Sequence, residues 1–344
     1  MLGSAAPARE QTATDGPGFK GAVANLQRLT SSDLALVSEE IVLSMRSPVP
    51  MIPDLAGHLV KAGGKRLRPM LTLAAARAFD YDGADHRKLA AAVELIHAAT
   101  LLHDDVVDAS ALRRGLKTAN VIWGNKESVL VGDFIFSRAF ELMVEAGNLD
   151  VLQILSRAAG VIAEGEVLQL ATQKNLNATF EMYLAVVESK TAALFAAAAH
   201  AGAVIAGAGV EAAAALRGYA RNLGIAYQLV DDALDYSGYE VALGKRVGDD
   251  FREGKMTLPV VYALTRASGE DAAVWRRTVS EGRQHPEDFA AARALLERTG
   301  AIAETLACAR RYAERALSDL ERAPRNEFTS ALADLAATSV ERGY

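Results

Sequence analysis

Two aspartate clusters with the same spacing constrain the fold of this chain more than any other feature. They read DDVVD at 104–108 and DDALD at 231–235, each inside an apolar run. Residues four positions apart share a face of an α-helix, so each cluster places its first and last carboxylates side by side. Buried carboxylates without partners are costly, which indicates bound cations. Each cluster could instead be a solvated acidic helix end, but two clusters with apolar flanks favour a metal site.

The side-chain chemistry of the clusters predicts which metal binds. Carboxylate oxygens without a set of Cys or His favour a hard cation. Mg²⁺ in proteins typically takes one or two carboxylates, several waters and the phosphate oxygens of a substrate. The predicted ligands of Mg²⁺ are Asp104, Asp108, Asp231 and Asp235.

Hydrophobic periodicity predicts helices through most of the chain. From about residue 31, apolar residues recur at spacings of three and four, with almost no alternation of period two. No shift in composition divides the 344 residues, of which 51% are hydrophobic. We therefore predict an all-α, single-domain helical bundle over 31–344, preceded by a mobile N-terminal tail over 1–30 that includes the start of the first helix. Residues 192–210 are mostly Ala and Gly, which favours a buried core helix over a membrane span.

Charge and cysteine content argue against several classes of protein. A net charge of −6 leaves no basic surplus for a phosphate backbone, so we expect no nucleic-acid partner. Cys308 is the single cysteine, which excludes an intramolecular disulfide and a cysteine-based zinc site. A reducing compartment suits such a chain, and the predicted location is cytoplasmic.

Basic side chains supply candidate ligands for phosphate groups. The stretch GGKRLRP at 63–69 puts three cations beside a glycine pair, although the stretch taken alone favours a solvated loop. Arg113 and Arg114 follow the first cluster. His97 lies two turns before Asp104 on the same face, as a ligand or as a packed core residue. Individually weaker candidates lie near the second cluster: Lys190, Thr191, Gln228, Lys245 and Lys255.

These motifs, in this order, resemble those of the trans-isoprenyl diphosphate synthase family. The matching stretches are GKRLRP at 64–69, ELIHAATLLHDDVVD at 94–108, RRG at 113–115, VGDF at 131–134, EGE at 164–166, KT at 190–191, YQLVDDALD at 227–235, GK at 244–245, GDD at 248–250 and EGK at 253–255. The resemblance covers residues 61–259 and is greatest to octaprenyl, solanesyl and decaprenyl diphosphate synthases. It implies a homodimer of all-α subunits of the isoprenoid synthase type, each with its active site in a deep central cavity.

The resemblance also implies a role for each matching residue. Asp104 and Asp108 would hold two of three Mg²⁺ ions, and Asp231 with Asp235 the third. Isopentenyl diphosphate would be bound by Lys65, Arg68, His97 and Arg114. The allylic diphosphate would be bound by Arg113, Lys190, Thr191, Gln228, Lys245 and Lys255. The implied catalytic residues, which help the diphosphate to depart, are Asp104, Asp108, Lys190, Asp231 and Lys245.

Small side chains before the first cluster predict a long product. Ala99 and Thr100 lie where family members with short products carry bulky groups. A helix turn rises about 5.4 Å, roughly the reach of one isoprene unit, so the floor of the cavity is expected several turns lower. The resemblance of 125–140 and of the stretch around Asp104 to octaprenyl-to-decaprenyl diphosphate synthases implies a product of about 40 to 50 carbons for a quinone side chain, with transient membrane contact for its release. Candidates for the floor of the cavity are Phe134, Phe136 and Met143, although large apolar residues are more often ordinary core.

Three alternatives compete with this interpretation. A short-chain synthase making farnesyl or geranylgeranyl diphosphate would use the same chemistry, but Ala99 and Thr100 disfavour it. A class I terpene cyclase would lack the second diphosphate site that Lys65, Arg68 and Arg114 offer. A non-catalytic partner subunit would be expected to lose one aspartate cluster, and both are complete.

Overall fold

The structure, a computed structural model, describes residues 18–237 and 247–342. Helices dominate these residues, which confirms the all-α prediction. The α-helices are α1 (Phe19–Leu29), α2 (Ser31–Ser44), α3 (Met51–Ala62), α4 (Leu67–Arg77), α5 (Asp85–Val107), α6 (Ala119–Ile122), α7 (Asn125–Glu145), α8 (Leu149–Thr172), α9 (Phe180–Val187), α10 (Ala193–Ile205), α11 (Val210–Ser237), α12 (Asp249–Glu253), α13 (Leu258–Leu264), α14 (Gly269–Trp275), α15 (Asp288–Arg298), α16 (Ala301–Leu320) and α17 (Glu327–Thr338). Two π-helical turns (Glu188–Ala192 and Arg276–Ser280), a 3₁₀ turn (Ser339–Glu341) and two short strands, β1 (Leu112–Arg113) and β2 (Leu116–Lys117), complete the described elements.

The centre of the bundle is α10, as predicted for residues 192–210. It is buried along most of its length and packs against α4, α5, α8 and α11. Gly202 permits the contact with α4, since a Cβ there would lie 2.2 Å from the carbonyl oxygen of Thr72. Among the described residues, the helical run Phe180–Ile205 is long and apolar enough to cross a membrane. The burial of α10 in the core accounts for that composition.

The first helix lies within the segment 1–30, which was predicted to include its start. α1 buries Phe19, Ala22 and Leu26 against the rest of the bundle, so the part of this segment from residue 19 onward is packed helix. Its apolar residues recur at three- and four-residue spacing, which gives α1 a face to bury. Residues 1–17 lie outside the described part of the chain.

A two-stranded ribbon follows the first aspartate cluster. β1 pairs antiparallel with β2, and Arg113 lies opposite Leu116. Arg114 and Gly115 form the turn, with φ angles of 52° and 78°. A break at this position was predicted, but the helical periodicity around it gave no indication of paired strands. The ribbon places both arginines at the wall of the central cavity.

A buried carboxylate ties α2 to α4 and α5. Asp33 accepts hydrogen bonds from Arg77 and Arg87, each with an Nε to carboxylate distance of 2.8 Å. Burial alone would raise the pKa of Asp33, but the two arginines and His86 hold it well below its ordinary value.

Removing this carboxylate is expected to destabilise the bundle. We expect Asp33→Ala to lower the free energy of unfolding by about 2 kcal/mol, because two half-buried arginines lose a charged partner. Urea unfolding followed by circular dichroism measures the change. The matched variant Asp54→Ala, at an exposed site on α3, is expected to cost no more than about 0.5 kcal/mol. Equal losses in the two variants would contradict the role of the network.

Candidate active site

A cavity of about 790 Å³ lies between the helices that carry the two aspartate clusters. α5 and α11 form facing walls, and both clusters line it. Helices α2 and α3, with the residue that follows α2, contribute an apolar part of the lining through Ile41, Met45, Ala56 and Leu59. The cavity thus joins a strongly charged region to an apolar one, as a substrate with a charged head and an oily tail requires.

The first cluster, on α5, meets two lysines from distant segments. Lys190 Nζ lies 3.6 Å from Asp104 Oδ2 and donates to Glu166 Oε2 at 2.7 Å. Lys255 Nζ donates to Asp108 Oδ2 at 3.0 Å. Burial raises the pKa of Asp104, and the neighbouring Asp108 raises it further against the opposing effect of Lys190. The local negative charge is therefore only partly balanced.

The second cluster, on α11, spreads its carboxylates over different partners. Asp231 forms an ion pair with Arg342, which is the last described residue. Asp232 is buried and accepts hydrogen bonds from the Tyr183 hydroxyl at 2.6 Å and from the Gln228 amide at 2.7 Å. Of these two carboxylates, Asp231 is thus the one whose partner is a long, flexible cationic side chain.

Asp235 holds the start of α12 rather than another side chain. Its two carboxylate oxygens accept hydrogen bonds from the backbone N–H groups of Gly248 and Asp250, each at 3.1 Å. Burial, and after it the charge of Asp250, raises the pKa of Asp235 to about 7 and that of Asp232 to about 8. Both raised pKa values arise because buried carboxylates lie close to one another with too few cations to offset their charge.

A π-helical turn aims two predicted ligands into the cavity. Lys190 and Thr191 lie in the turn Glu188–Ala192, between α9 and α10. Thr191 donates its hydroxyl hydrogen to Gln228 Oε1 at 3.0 Å, which links the turn to the second cluster through Gln228. Insertions of this kind recur at functional sites because they re-aim side chains within a helix. Nothing in the apolar periodicity of 180–205 marks the turn.

A second charged region of the cavity is cationic. Lys65, Arg68, Arg114 and Arg342 all line it. Lys65 lines the cavity, but burial by the surrounding protein lowers its pKa to about 8. The positive charge of Arg342 also lowers this pKa. Arg68 stacks over the Phe195 ring at 4.7 Å, and its Nε has no hydrogen-bond partner among the described residues. Such a cluster is suited to a diphosphate.

His97 lines the wall between the acidic and the cationic regions. Burial, followed by the charge of Arg68, holds its pKa well below the ordinary value. Its imidazole is therefore neutral at pH 7, and it offers one donor and one acceptor nitrogen to a bound group.

The donor set fits a divalent hard cation. Glu166 Oε1 is buried without a hydrogen-bond partner among the described residues, and Lys190 Nζ contacts both the other oxygen of Glu166 and Asp104. No group of three acidic, His or Cys side chains in the described ranges is arranged to hold an ion alone. Each ion would therefore take one or two carboxylates from the chain and complete its shell with water and phosphate oxygens, as Mg²⁺ does.

The structure brings nearly all of the predicted site residues to this one cavity. Those that line it are Lys65, Arg68, His97, Thr100, Asp104, Asp108, Arg113, Arg114, Lys190, Thr191, Gln228, Asp231, Asp235 and Lys255. Their roles in binding stay predictions. Lys245 lies outside the described residues.

Arg113 and Asp235 are engaged by protein groups that the sequence did not indicate. Arg113 binds the buried Asp105 through Nη2 at 2.8 Å and Nε at 3.1 Å. Asp235 binds backbone amides, as described above. Arg113 could therefore bind a substrate only through the N–H groups that Asp105 leaves unbound. Asp235 could bind an ion only through the lone pairs that the backbone N–H groups leave free.

The predicted chain-length residues differ in position. Thr100 lines the cavity, whereas Ala99 is fully buried and lies outside its lining. At 3.6 residues per turn, Ala99 lies about 140° around the helix from Asp104, and Thr100 only about 40°. Ala98 and Leu101 take the places on the wall that flank Thr100. Of the predicted floor residues, Met143 is buried in the hydrophobic core, Phe134 and Phe136 are partly buried against it, and none of the three is part of the lining.

Sequence reasoning did not single out several lining residues as ligands. Glu166, Asp232, Asp249, Asp250 and Arg342 belong to this group. The acids stood within motifs that matched the family, so those motifs could have indicated them. Arg342 stands 111 residues from Asp231 in the chain, and no local pattern marks it.

Gly165 positions the π-helical turn. A Cβ at this residue of α8 would lie 2.6 Å from the Ser189 Cβ and 2.9 Å from the Lys190 backbone nitrogen. Helix α8 can approach the turn this closely only without a side chain at that position.

Gly165→Ala is therefore expected to displace Lys190 and lower kcat by about 10²-fold, the cost of a misplacement near 1 Å. Steady-state kinetics with thermal unfolding as a parallel readout measure the effect. Gly160→Ala is the matched control on the same helix, because nothing lies within 4 Å of its added Cβ. If the two variants keep the same kcat, Gly165 does not position Lys190.

Comparisons with known proteins agree with this geometry. The profile of the family described as polyprenyl synthetase matches residues 49–296. Octaprenyl diphosphate synthase of Escherichia coli (strain K12) is 44% identical, over 92% of this chain and 98% of that protein.

Two solved structures share the fold closely. A polyprenyl synthase from Caulobacter crescentus CB15, complexed with calcium and isoprenyl diphosphate, has a TM-score of 0.90 and 52% identity, over 93% of this chain and 98% of that chain. A decaprenyl diphosphate synthase from Rhodobacter capsulatus has a TM-score of 0.90 and 48% identity, over 93% and 99%. The chain therefore belongs to the polyprenyl synthetase family, the trans-isoprenyl diphosphate synthases, and is a prenyltransferase.

Proposed function

We propose that this protein is a Mg²⁺-dependent, long-chain trans-polyprenyl diphosphate synthase. It adds isopentenyl diphosphate repeatedly to an allylic diphosphate until the product has about 40 to 50 carbons, a length that needs a cavity open past the first turn below the aspartates. The observation that carries the proposal is one cavity with two acidic walls, a separate cationic region and an apolar extension.

The chain's own residues divide the work between two diphosphates. Lys190 and Lys255, already beside Asp104 and Asp108, donate to oxygens of the allylic diphosphate and favour its departure. Divalent cations, when bound, neutralise the same developing charge. Lys65 and Arg68 hold isopentenyl diphosphate so that its double bond attacks the allylic carbon as the carbon–oxygen bond breaks. The released diphosphate accepts the proton that isopentenyl diphosphate loses.

The long product is supported by the side chains beside Asp104. Thr100, one turn before it, is small, and the lining continues along α5 to Ala98 and Leu95. These residues lie six and nine positions before Asp104, or about 9 Å and 14 Å along the helix. The names of the similar octaprenyl and decaprenyl diphosphate synthases support the same range.

We propose that the protein acts as a homodimer through α7. Its outer face exposes Val129, Leu130 and Val144, the middle one to 68%, and Val121 and Ile122 on α6 extend this apolar surface. Exposed apolar surface of this kind is typical of a subunit interface. A second copy of this chain is the partner, and sedimentation equilibrium that gives a monomer at micromolar concentration would sink this proposal.

The enzyme is proposed to work in the cytoplasm and to contact a membrane transiently when it releases its product. Helices α2 and α3 contribute to the cavity lining, and these helices with the loop between them expose Val42, Leu43, Val49 and Met51. An apolar product leaving beside this surface meets lipid rather than water. The proposed use of the product is the side chain of a quinone such as ubiquinone.

One assay tests the reaction and the product length together. The purified protein is incubated with farnesyl diphosphate, radiolabelled isopentenyl diphosphate and Mg²⁺, and the dephosphorylated products are separated by chromatography. We expect a ladder that ends at about 40 to 50 carbons, the range of the similar octaprenyl and decaprenyl diphosphate synthases, since the cavity stays open along α5 past the first turn below Asp104. A ladder that stops at the first or second addition would indicate a short-chain synthase, and no incorporation would overturn the proposed activity.

A further inference from the structure

Arg342 occupies the active-site cavity without belonging to any of the matched motifs. Its guanidinium pairs with Asp231 Oδ1, and its Nη1 donates to the Tyr227 carbonyl oxygen at 3.3 Å. The same guanidinium lies 3.5 Å from the centre of the Tyr227 ring and 5.1 Å from that of Phe19 on α1. Its side chain is only 5% exposed. These contacts hold a cation directly on the acidic wall.

The cation on Asp231 is also part of the cationic region. Arg342 and Lys65 both lie over the Phe19 ring, at 5.1 Å and 4.9 Å from its centre. Burial lowers the pKa of Lys65, and the charges of Arg342 and Arg114 lower it further. Arg342 Nε has no hydrogen-bond partner among the described residues. The guanidinium therefore lies between two regions of opposite charge, and its Nε–H group can donate a further hydrogen bond.

A guanidinium and a divalent cation on the same carboxylate repel each other strongly at contact distance in a partly desolvated site. An ion bound to Asp231 therefore favours the departure of Arg342 from that carboxylate. Arginine has several rotatable bonds, so its guanidinium can leave Asp231 while the 3₁₀ turn Ser339–Glu341 stays packed. The nearest anion for it to meet is a diphosphate held by Lys65 and Arg68.

We propose that Arg342 is an exchangeable counter-cation: it neutralises Asp231 in the empty site, yields that carboxylate to a divalent cation, and turns to the second diphosphate. This rests on the proposed function for the identity of the two ligands. The exchange couples the two binding events, so that each ligand favours the other, as linkage requires. Before both arrive, the ion pair keeps Asp231 occupied.

Binding measurements test the exchange without turnover. Mn²⁺ is titrated into substrate-free protein and followed by electron paramagnetic resonance, and inorganic pyrophosphate is titrated by calorimetry with Mn²⁺ present. We expect Arg342→Gln to tighten one Mn²⁺ site by about tenfold and to weaken pyrophosphate by a similar factor, within the usual range of coupling between ligands. Asp231→Asn should abolish the site that tightened.

The opposite signs distinguish exchange from a purely structural role, since a damaged cavity would weaken both ligands. Arg322→Gln removes the same charge from an exposed pair with Asp319 and should leave both affinities unchanged. If Arg342→Gln unfolds, Arg342→Lys keeps a cation but loses the planar stack and should give a smaller change of the same signs. Unchanged Mn²⁺ affinity in a folded variant overturns the exchange, whereas absent turnover alone would count only against the proposed function.

Discussion

Asp104→Asn is expected to lower kcat for the condensation by about 10³-fold, because stabilisation of a departing anion by a bound metal is worth several kcal/mol. Asp104 lies on the wall that also presents Asp108 and Glu166, and the amide keeps the shape of the carboxylate while removing its charge. Radiolabelled isopentenyl diphosphate incorporation at saturating Mg²⁺ measures the loss.

The same substitution is expected to preserve or raise thermal stability in the absence of metal. Burial and the neighbouring Asp108 raise the pKa of Asp104, so the ionised group is held in the folded protein against desolvation and like-charge repulsion. A raised carboxyl pKa means that the folded state binds more protons than the unfolded state. Stability therefore falls as the pH rises between the two pKa values, and an uncharged amide removes this penalty.

Opposite effects on activity and stability identify a functional carboxylate rather than a structural one. Asp334→Asn, at an exposed site on α17, serves as the control and should change neither quantity appreciably. An Asp104→Asn variant that retained most of its kcat would remove Asp104 from the catalytic set. One that lost activity and stability together would show that the residue holds the fold.

Helical periodicity predicted the two acidic walls because four-residue spacing is a local property. Asp104 and Asp108 needed only an α-helix to meet, and the apolar flanks required that helix to be buried. The facing of the two walls did not follow from either cluster alone. It followed from the need to compensate both with the same cations and substrate.

The remaining features of the site depend on contacts that no local pattern encodes. The π-helical turn at Lys190 is stabilised by close packing against Gly165, on another helix. Ala99 is only five residues from Asp104 in sequence, but the rotation of the helix turns its side chain away from the cavity lining. Arg342 reaches Asp231 only through the packing of the last turn against α11.

The product length offers the second large effect. Thr100→Phe is expected to shorten the main product from about 40 to 50 carbons to about 15 to 20, because the ring would block the wall one turn, or about 6 Å, below Asp104. Thr100 is partly exposed to the cavity, so the larger side chain can turn into it without being forced into the core. Chromatography of the dephosphorylated products measures the length.

Position along α5 should set the size of the effect. Ala98→Phe, also in the lining but deeper, should stop the chain later than Thr100→Phe, whereas Val107→Phe at an exposed site of the same helix should leave the product unchanged. The rate of the first addition should survive in all three variants, because none of these side chains touches the diphosphates. If Thr100→Phe still makes the full-length product, the tail does not pass this wall, and the length must be set elsewhere in the bundle.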